Sequence, residues 1–259
     1  MPAVPSACNM SRFGRGDGAK KLCGLEAMPR CVVMSIGSRR DIGFEKDIVL
    51  HTNCSVEIFD CTVPRCSRSR VWPGSMRSGR VRYHRVCIGA EDSVEESTQI
   101  RSDWQSHSSS GSFAFHSYSS ILTRLELSSV AVMKMDIEGF EYDVLTAMLR
   151  AQSLALPSQI AFELHYQTQM TSLRWRHRER TAGEMALFAR ALYDAGYRTI
   201  SRSDNWRCPH CSEFNVVRLF CPPPRELAST EGDTRKAESA ADGVWGTKDP
   251  GEACGSHNL

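Results

Sequence analysis

Short apolar runs alternate with segments of helical apolar spacing from residue 31 to residue 219, and this alternation limits the possible folds more than any other feature. The apolar runs have the length of buried strands and end at glycine or polar residues. They predict strands at 31–36, 55–59, 81–88, 130–135, 159–164, 197–200 and 213–219. Helices are predicted after Asp41, near Glu138 and over 183–195. Strands that alternate with helices predict an α/β protein with a parallel, doubly wound sheet.

Three segments depart from this pattern. Residues 1–20 are rich in glycine, serine, proline and basic residues and are predicted to be irregular. Residues 222–259 open with three prolines and are then polar, which is typical of a disordered tail. The main domain is therefore predicted over 21–221. Within it, residues 102–120 are dense in serine and are predicted to form a surface loop.

The composition excludes several classes of protein. Hydrophobic residues make up 41% and charged residues 24%, which is ordinary for a globular domain, and the net charge of +2 does not demand a polyanionic partner. No apolar run approaches the roughly 18 residues of a membrane span. The first ten residues also lack the pattern of a signal peptide. We therefore expect no membrane span and a cytoplasmic location by default, although the 11 cysteines are also compatible with the secretory pathway.

These 11 cysteines are spread too widely for a small disulfide scaffold. Cys31 and Cys87 lie inside apolar runs and are predicted to be core thiols. Cys208 and Cys211 form a C-x-x-C pair that is compatible with structural thiols or a local disulfide, a metal site, or a redox site. A structural zinc usually needs a second pair at ribbon-like spacing. We therefore favour the first interpretation and predict no metal.

Residues at the ends of the first two predicted strands form a candidate ligand site. Gly37 follows the first strand, and a glycine there lets the backbone turn and a ligand approach closely, although it also fits an ordinary strand-to-helix turn. Asp60 closes the next strand 23 residues later, where an acid can accept hydrogen bonds from ribose hydroxyls. The glycines that cradle a pyrophosphate are missing. The pair therefore favours a nucleoside ligand over a dinucleotide.

Acidic residues follow the predicted strand 130–135. Asp136 ends that strand on the ligand side and can hold the cationic amino-acid end of a ligand, orient a hydroxyl nucleophile or bind a metal. Glu138 and Glu141 also fit the first turn of a helix, where acids interact favourably with the helix dipole.

Two titratable residues lie at the end of the predicted strand 159–164. Glu163 is a charge inside a buried strand and needs a partner. His165 can titrate near neutral pH and serve as a base, although a lone histidine is more often structural.

Taken in order, these motifs resemble the FkbM-type methyltransferase domain and its methyltransferase-like relatives. The resemblance covers roughly residues 12–220. The matching pieces are GRGDG at 14–18, SIG at 35–37, FE at 44–45, FD at 59–60, YHRVCIG at 83–89, KMDIEGFE at 134–141, ELH at 163–165 and EFNVV at 213–217. The block at 134–141 is the most specific of them.

The resemblance implies a Rossmann-like fold with a seven-stranded, mostly parallel sheet, helices on both faces and an antiparallel last strand. It also implies S-adenosylmethionine as the methyl donor and a hydroxyl of a small molecule or glycan as the acceptor. Carried over by position, the implied donor-pocket residues are Ser35, Gly37, Asp60, Ile88, Gly89, Asp136 and Glu138, with Asp60 at the ribose and the segment 87–92 near the adenine. A hydroxyl acceptor needs a base, and the candidates are His165 and Asp136.

Two other functions remain open from the sequence. Arg39 and Arg40 follow the glycine turn, and a basic side chain near a sulfonium cation is unfavourable, as in a domain that has lost catalysis and acts as a binding module. The stretch Arg65–Arg85 carries seven arginines with Trp72 and Tyr83 among them. Such a pattern can bind single-stranded nucleic acid, as in an RNA-directed methyltransferase, but it is more often a solvated loop.

Overall fold

The computed structural model describes residues 9–39, 41–62, 79–102, 107–151, 155–165, 180–205, 208 and 211–219. The strands are β1 Met10–Phe13, β2 Lys20–Cys23, β3 Cys31–Ile36, β4 Cys54–Phe59, β5 Val81–His84, β6 Cys87–Ile88, β7 Ser93–Ser102, β8 His107–His116, β9 Val132–Met135, β10 Gln159–His165, β11 Tyr197–Asp204 and β12 Cys211–Arg218. The α-helices are α1 Gly43–His51, α2 Tyr118–Arg124, α3 Glu141–Arg150 and α4 Ala182–Asp194. Short 3-10 helices cover Gly16–Gly18 and Leu25–Ala27.

Seven strands form the central sheet, in the order β11-β12-β10-β9-β3-β4-β5. Neighbouring strands from β10 to β5 are parallel, whereas β12 is antiparallel to both β10 and β11. The chain builds outward from β3 through β4 to β5 and then returns to place β9 on the other side of β3. This reversal is where open α/β sheets bind ligands. The predicted doubly wound sheet and its antiparallel last strand are confirmed.

Alternate residues of the strands bury two separate cores, because successive side chains of a strand point to opposite faces. On one face, Phe13 and Leu22 of the hairpin β1–β2 pack with Ile48 of α1. On the other face, α2, α3 and α4 pack through residues such as Leu145 and Phe188. The sheet is therefore covered by helices on both faces, as predicted.

The structure corrects two predictions of irregular structure. Residues 10–13, predicted to be irregular, form β1 and pair with β2. Residues 102–120, predicted to form a surface loop, contain β8 and the start of α2. Phe113 and Phe115 bury alternate positions of β8, and Ser117 caps α2 by accepting a hydrogen bond from the Ser120 N–H at 3.2 Å. The serine-rich composition concealed both signals.

A second, three-stranded sheet of order β6-β8-β7 lies outside the central one. The single strand predicted over 81–88 is divided between the two sheets, because β5 pairs with β4 and β6 pairs with β8. Residues 222–259, predicted to be a disordered tail, lie outside the described residues. Among the described helices, none combines the length and apolar character that crossing a membrane requires.

The cysteines predicted to be core thiols form disulfides instead. Cys31 bonds to Cys54, its direct neighbour at the start of β4, and Cys61 bonds to Cys87. Cys87 is buried and Cys31 is partly buried, and the fold brings each thiol to a partner more than 20 residues away in the chain. Cys208 and Cys211 form a local disulfide, one of the interpretations that the sequence had favoured.

Candidate ligand site at the strand ends

The loops after β3, β4 and β9 meet at one edge of the sheet and are joined by main-chain hydrogen bonds. The Gly37 N–H donates to the Phe59 carbonyl at 3.0 Å, and the Asp136 N–H donates to the Ile36 carbonyl at 3.1 Å. The Lys134 ammonium donates to the Gly37 carbonyl at 2.8 Å. The residues that the sequence placed at separate strand ends therefore lie close together at one edge of the sheet.

Gly37 is required by its surroundings as well as by its conformation. Its φ of +73° lies in the left-handed region, which side chains other than glycine rarely adopt. A Cβ atom there would overlap the carbonyl oxygen of Asp136 and approach Ile137 Cγ2 to 3.0 Å. The loop after β9 therefore occupies part of the space beside Gly37 that was predicted for a ligand.

Asp60 is buried and already accepts hydrogen bonds from the protein. Its Oδ2 accepts from the Arg39 N–H at 2.6 Å, and its Oδ1 accepts from the N–H and hydroxyl of Thr62 at 2.9 and 2.6 Å. An ionised carboxylate has about four acceptor positions, so these three donors leave room for a ribose hydroxyl. The side chain of Arg39 is exposed, and its main-chain N–H is a hydrogen-bond donor to Asp60.

Ser35, next to the last residue of β3, is fully buried. Its hydroxyl donates to the carboxylate of Glu45, which is also fully buried. Burial raises the pKa of Glu45, and the positive charge of Lys134 opposes that rise. Sequence reasoning missed this network, because Glu45 reads as an ordinary acid in the first turn of a helix.

Ile88 and Gly89 form a buried segment next to the loop that follows Asp60. The Gly89 N–H donates to the His116 carbonyl at 3.0 Å. The disulfide between Cys61 and Cys87 joins this segment covalently to the residue after Asp60. The predicted ribose and adenine walls are therefore cross-linked.

Glu141 organises the acidic loop after β9. It is fully buried, and its two oxygens accept from the N–H groups of Ile137 at 2.7 Å and Gly139 at 2.9 Å. The same carboxylate lies 3.2 Å from Nδ1 of His165. Glu138, with a φ of +56°, precedes α3 and approaches Nε2 of His165 to 3.5 Å. Glu141 therefore anchors the loop. From the sequence it was interpreted only as an acid that interacts favourably with the helix dipole.

His165 is held as a cation. Burial by itself lowers the pKa of the imidazole, but the negative charges of Glu141, Glu138 and Asp136 outweigh burial and raise it to about 10. The raised pKa favours the protonated imidazole at neutral pH, a form with no free nitrogen to act as a base. The base at His165 stays a prediction from the sequence.

Glu163 has a better pKa for proton transfer near neutrality. Burial and the charge of Asp136 raise its pKa to about 7, against the opposing hydrogen bond that Asn205 donates to Oε1 at 2.9 Å. From sequence it was recognised only as a buried charge that needs a partner. Its buried position on a strand was the available signal, and the neighbours that tune its pKa come from distant parts of the chain.

Part of the arginine-rich stretch has structural partners. Arg80 donates to the Thr52 carbonyl at 2.9 Å and to the Val49 carbonyl, near the end of α1. Arg82 pairs with the buried Glu57, which also binds His84 at 2.8 Å. Residues 63–78 of the stretch lie outside the described residues.

A protein family described as a methyltransferase domain matches residues 5–218 of the chain. No curated protein matches at a significant level.

Solved structures with similar folds include methyltransferases. The Methanococcus jannaschii fibrillarin pre-rRNA processing protein is 9% identical, with a TM-score of 0.41 over 83% of this chain and 86% of that chain. An O-methyltransferase family protein from Burkholderia thailandensis is 11% identical, with a TM-score of 0.39 over 75% of this chain and 52% of that one. A geranyl diphosphate methyltransferase in complex with SAM is 11% identical, with a TM-score of 0.38 over 74% and 79%.

Proposed function

The chain belongs to a methyltransferase-domain family, and from this premise we propose that it transfers a methyl group from S-adenosylmethionine to a hydroxyl of a small molecule or glycan. The observation that carries the proposal is the pairing of the Gly37 turn with the Asp60 carboxylate at adjacent strand ends beside the sheet reversal. A turn without pyrophosphate glycines, next to an acid suited to ribose hydroxyls, is what a nucleoside donor needs. The FkbM type remains a prediction from the sequence motifs.

The charges around the site support a cationic donor. The acids Glu141, Glu138 and Asp136 surround the His165 imidazole, and a sulfonium ion is attracted to carboxylates. The side chain of Arg39 is exposed, but its positive charge acts on the Glu138 carboxylate, so the objection to donor binding raised by the sequence stands for this residue.

Methyl transfer is an in-line displacement in which the methyl carbon forms a bond to the acceptor oxygen as its bond to sulfur breaks. Holding the two reactants in line supplies much of the rate. The acceptor proton passes to a carboxylate, and the products are a methyl ether and S-adenosylhomocysteine. We assign proton acceptance to Glu163, whose pKa of about 7 suits it near neutral pH. Asp136 remains the other candidate base and the group that orients the acceptor.

Calorimetric titration of the whole chain with S-adenosylmethionine tests donor binding. Asp60→Ala is expected to weaken binding by about 10- to 100-fold, the effect of losing a hydrogen bond to a charged group. Asp60→Asn, which keeps one acceptor oxygen for Thr62, separates loss of the charge from disturbance of the loop. Asp194→Asn, on an exposed part of α4, is the matched control and is expected to bind as the wild type does.

A folded wild-type chain that does not bind the donor would contradict the proposal and favour a methyltransferase-shaped binding module. Unchanged affinity in Asp60→Ala would instead remove Asp60 from the donor site. Circular dichroism spectra of each variant establish that the fold is intact.

A further inference from the structure

The C-x-x-C pair lies against the end of β10. Cys211 is the first residue of β12 and is the register partner of His165. Two main-chain hydrogen bonds hold Cys208: its N–H donates to the Asn205 carbonyl at 3.0 Å, and its carbonyl accepts from the Cys211 N–H at 2.9 Å. The Asn205 side chain in turn binds Glu163. The fold therefore brings His165 and Glu163 to the two cysteines. These two side chains take the place of the second ligand pair that the local sequence lacks.

Four potential metal ligands converge at this point. One ligand atom from each of Glu163, His165, Cys208 and Cys211 lies within 4.8 Å of all the others. Two thiolates, an imidazole and a carboxylate form a set that Zn²⁺ accepts, with ligand bonds of about 2.0–2.3 Å in a tetrahedron. Cys208 is partly exposed, whereas the other three residues are buried. Three of the four ligands are therefore shielded from solvent, and a metal ion can reach the site from the side of Cys208.

The surrounding hydrogen bonds orient these ligands as the outer residues of zinc sites do. A metal-binding histidine usually gives its other ring N–H to a carboxylate. Nδ1 of His165 faces Glu141, a carboxylate fixed by two main-chain N–H groups. Nε2 is then the nitrogen for a metal, which would replace its 3.5 Å contact with Glu138. Asn205 similarly orients Glu163.

A competing set is formed by Asp136, Glu141 and His165, whose ligand atoms also lie within 4.8 Å of one another. Both oxygens of Glu141 already accept from the main chain, so its use as a ligand would release the loop that it anchors. The set that contains the two cysteines requires no such release.

We propose that reduction of the Cys208–Cys211 disulfide creates a Zn²⁺ site whose ligands are both thiolates, His165 and Glu163. Exchange with a dithiol breaks the sulfur–sulfur bond, leaves two cysteine thiols and oxidises the dithiol to its own disulfide. Zn²⁺ then displaces one proton from each thiol and the Nε2 proton from the imidazolium. The disulfide form and the metal form exclude each other, and neither depends on donor binding.

Spectroscopic titration with Co²⁺ tests the site in the full chain. The protein is treated with limiting dithiothreitol, which is then removed without oxygen, and mass analysis after alkylation identifies the freed thiols. The form reduced at Cys208 and Cys211 is expected to bind one Co²⁺ per chain, with tetrahedral and thiolate charge-transfer absorption that Zn²⁺ abolishes. The oxidised form is expected to show neither absorption band.

Substitutions assign the ligands. Cys208→Ser/Cys211→Ser is expected to abolish the charge-transfer band, and His165→Gln to weaken Co²⁺ binding by at least about tenfold. Cys31→Ser/Cys54→Ser, a disulfide pair at the other ends of the strands, is expected to leave the band unchanged. A folded, reduced chain that binds no Co²⁺ overturns the proposal, and so does a charge-transfer band that survives the double serine change or a Co²⁺ affinity that His165→Gln leaves unchanged.

If dithiothreitol reduces another disulfide before Cys208–Cys211, a second variant tests the metal site. Cys208→His/Cys211→His offers two nitrogen ligands without any reduction. It is expected to bind Co²⁺ in a way that His165→Gln weakens. Absence of such binding in this folded variant overturns the proposal in that case.

Discussion

At the scale of single residues, Gly37 shows how one position can be restricted twice. Its φ of +73° disfavours every other residue, and a Cβ atom would overlap the loop after β9. Gly16 has a similar φ of +61° but no other atom within 4 Å of an added Cβ. The two glycines therefore separate the cost of the conformation from the cost of the contact.

Gly37→Ala is expected to lower the free energy of unfolding by about 3 kcal/mol or more, because backbone strain and steric overlap add. Gly16→Ala is expected to lower it by only about 1 kcal/mol, the cost of the left-handed conformation alone. Urea denaturation measures both. Equal losses would mean that the loop after β9 moves away without cost.

His165 gives a prediction about pH. Its pKa is raised to about 10 in the folded protein, so the folded state holds the proton more tightly than the unfolded chain. The resulting stability is complete below the unfolded pKa of about 6.5 and is lost as pH rises through about 10. The difference in unfolding free energy between the wild type and His165→Gln is therefore expected to be larger at about pH 6 than at about pH 10.

The exposed His51, at the end of α1, supplies the control for this experiment. His51→Gln is expected to differ from the wild type by the same small amount at both pH values. If the effect of His165→Gln grew with pH, the imidazole would be neutral in the folded protein, and its assignment as a base would regain support.

At the scale of elements, the Cys61–Cys87 disulfide joins the loop after β4 to β6. Cys61 follows Asp60 directly and Cys87 precedes Ile88, so the bond fixes the spacing between the proposed ribose and adenine walls. The Cys31–Cys54 disulfide spans a similar sequence separation, 23 residues against 26, at the opposite ends of β3 and β4. Only the first of the two lies at the proposed donor site.

Replacing either pair by serine is expected to lower the free energy of unfolding by about 3 kcal/mol, because loops of this size restrict the unfolded chain to a similar extent. Cys61→Ser/Cys87→Ser is also expected to weaken S-adenosylmethionine binding by at least about tenfold, whereas Cys31→Ser/Cys54→Ser leaves it unchanged. Calorimetry at a temperature where both variants are folded measures the effect. Equal affinities would show that the pocket walls keep their spacing without the bond.

At the scale of the whole molecule, the hairpin β1–β2 connects the beginning of the domain to its last strand. Lys20 pairs with Glu213 at 2.5 Å, and the Asn215 side chain donates to the Lys21 carbonyl. Gln159 bonds both the N–H and the carbonyl of Cys23, at 2.9 and 2.6 Å. These contacts join segments more than 130 residues apart and close the face of the sheet that α1 shares.

Lys20→Met is expected to lower the free energy of unfolding by about 3 kcal/mol, because the largely buried Glu213 loses the charge opposite it. Lys20→Met/Glu213→Leu is expected to recover most of this loss, since it removes both buried charges together. Thermal or urea unfolding measures the series. A double variant no more stable than Lys20→Met would show that Glu213 has a structural role that does not depend on Lys20.

Much of the fold and part of the site followed from local sequence. The run 31–36 and the glycine after it predicted a strand and a turn, because side-chain periodicity and backbone freedom act within a few residues. Asp60 and Asp136 were placed correctly at strand ends for the same reason. The segment 102–120 was not, because its serine content outweighed the alternation of Phe113 and Phe115.

The sequence by itself determined the seven strands of the central sheet and the residues at their ends, because these depend on short-range patterns. Only the tertiary structure decided which of those residues meet. The acids around His165 make it a cation, Asp136 helps to raise the pKa of Glu163 to about 7, and strand pairing brings Cys31 to Cys54. Charge, pKa and cross-linking depend on distances of a few ångströms between residues far apart in the chain, and folding alone sets those distances.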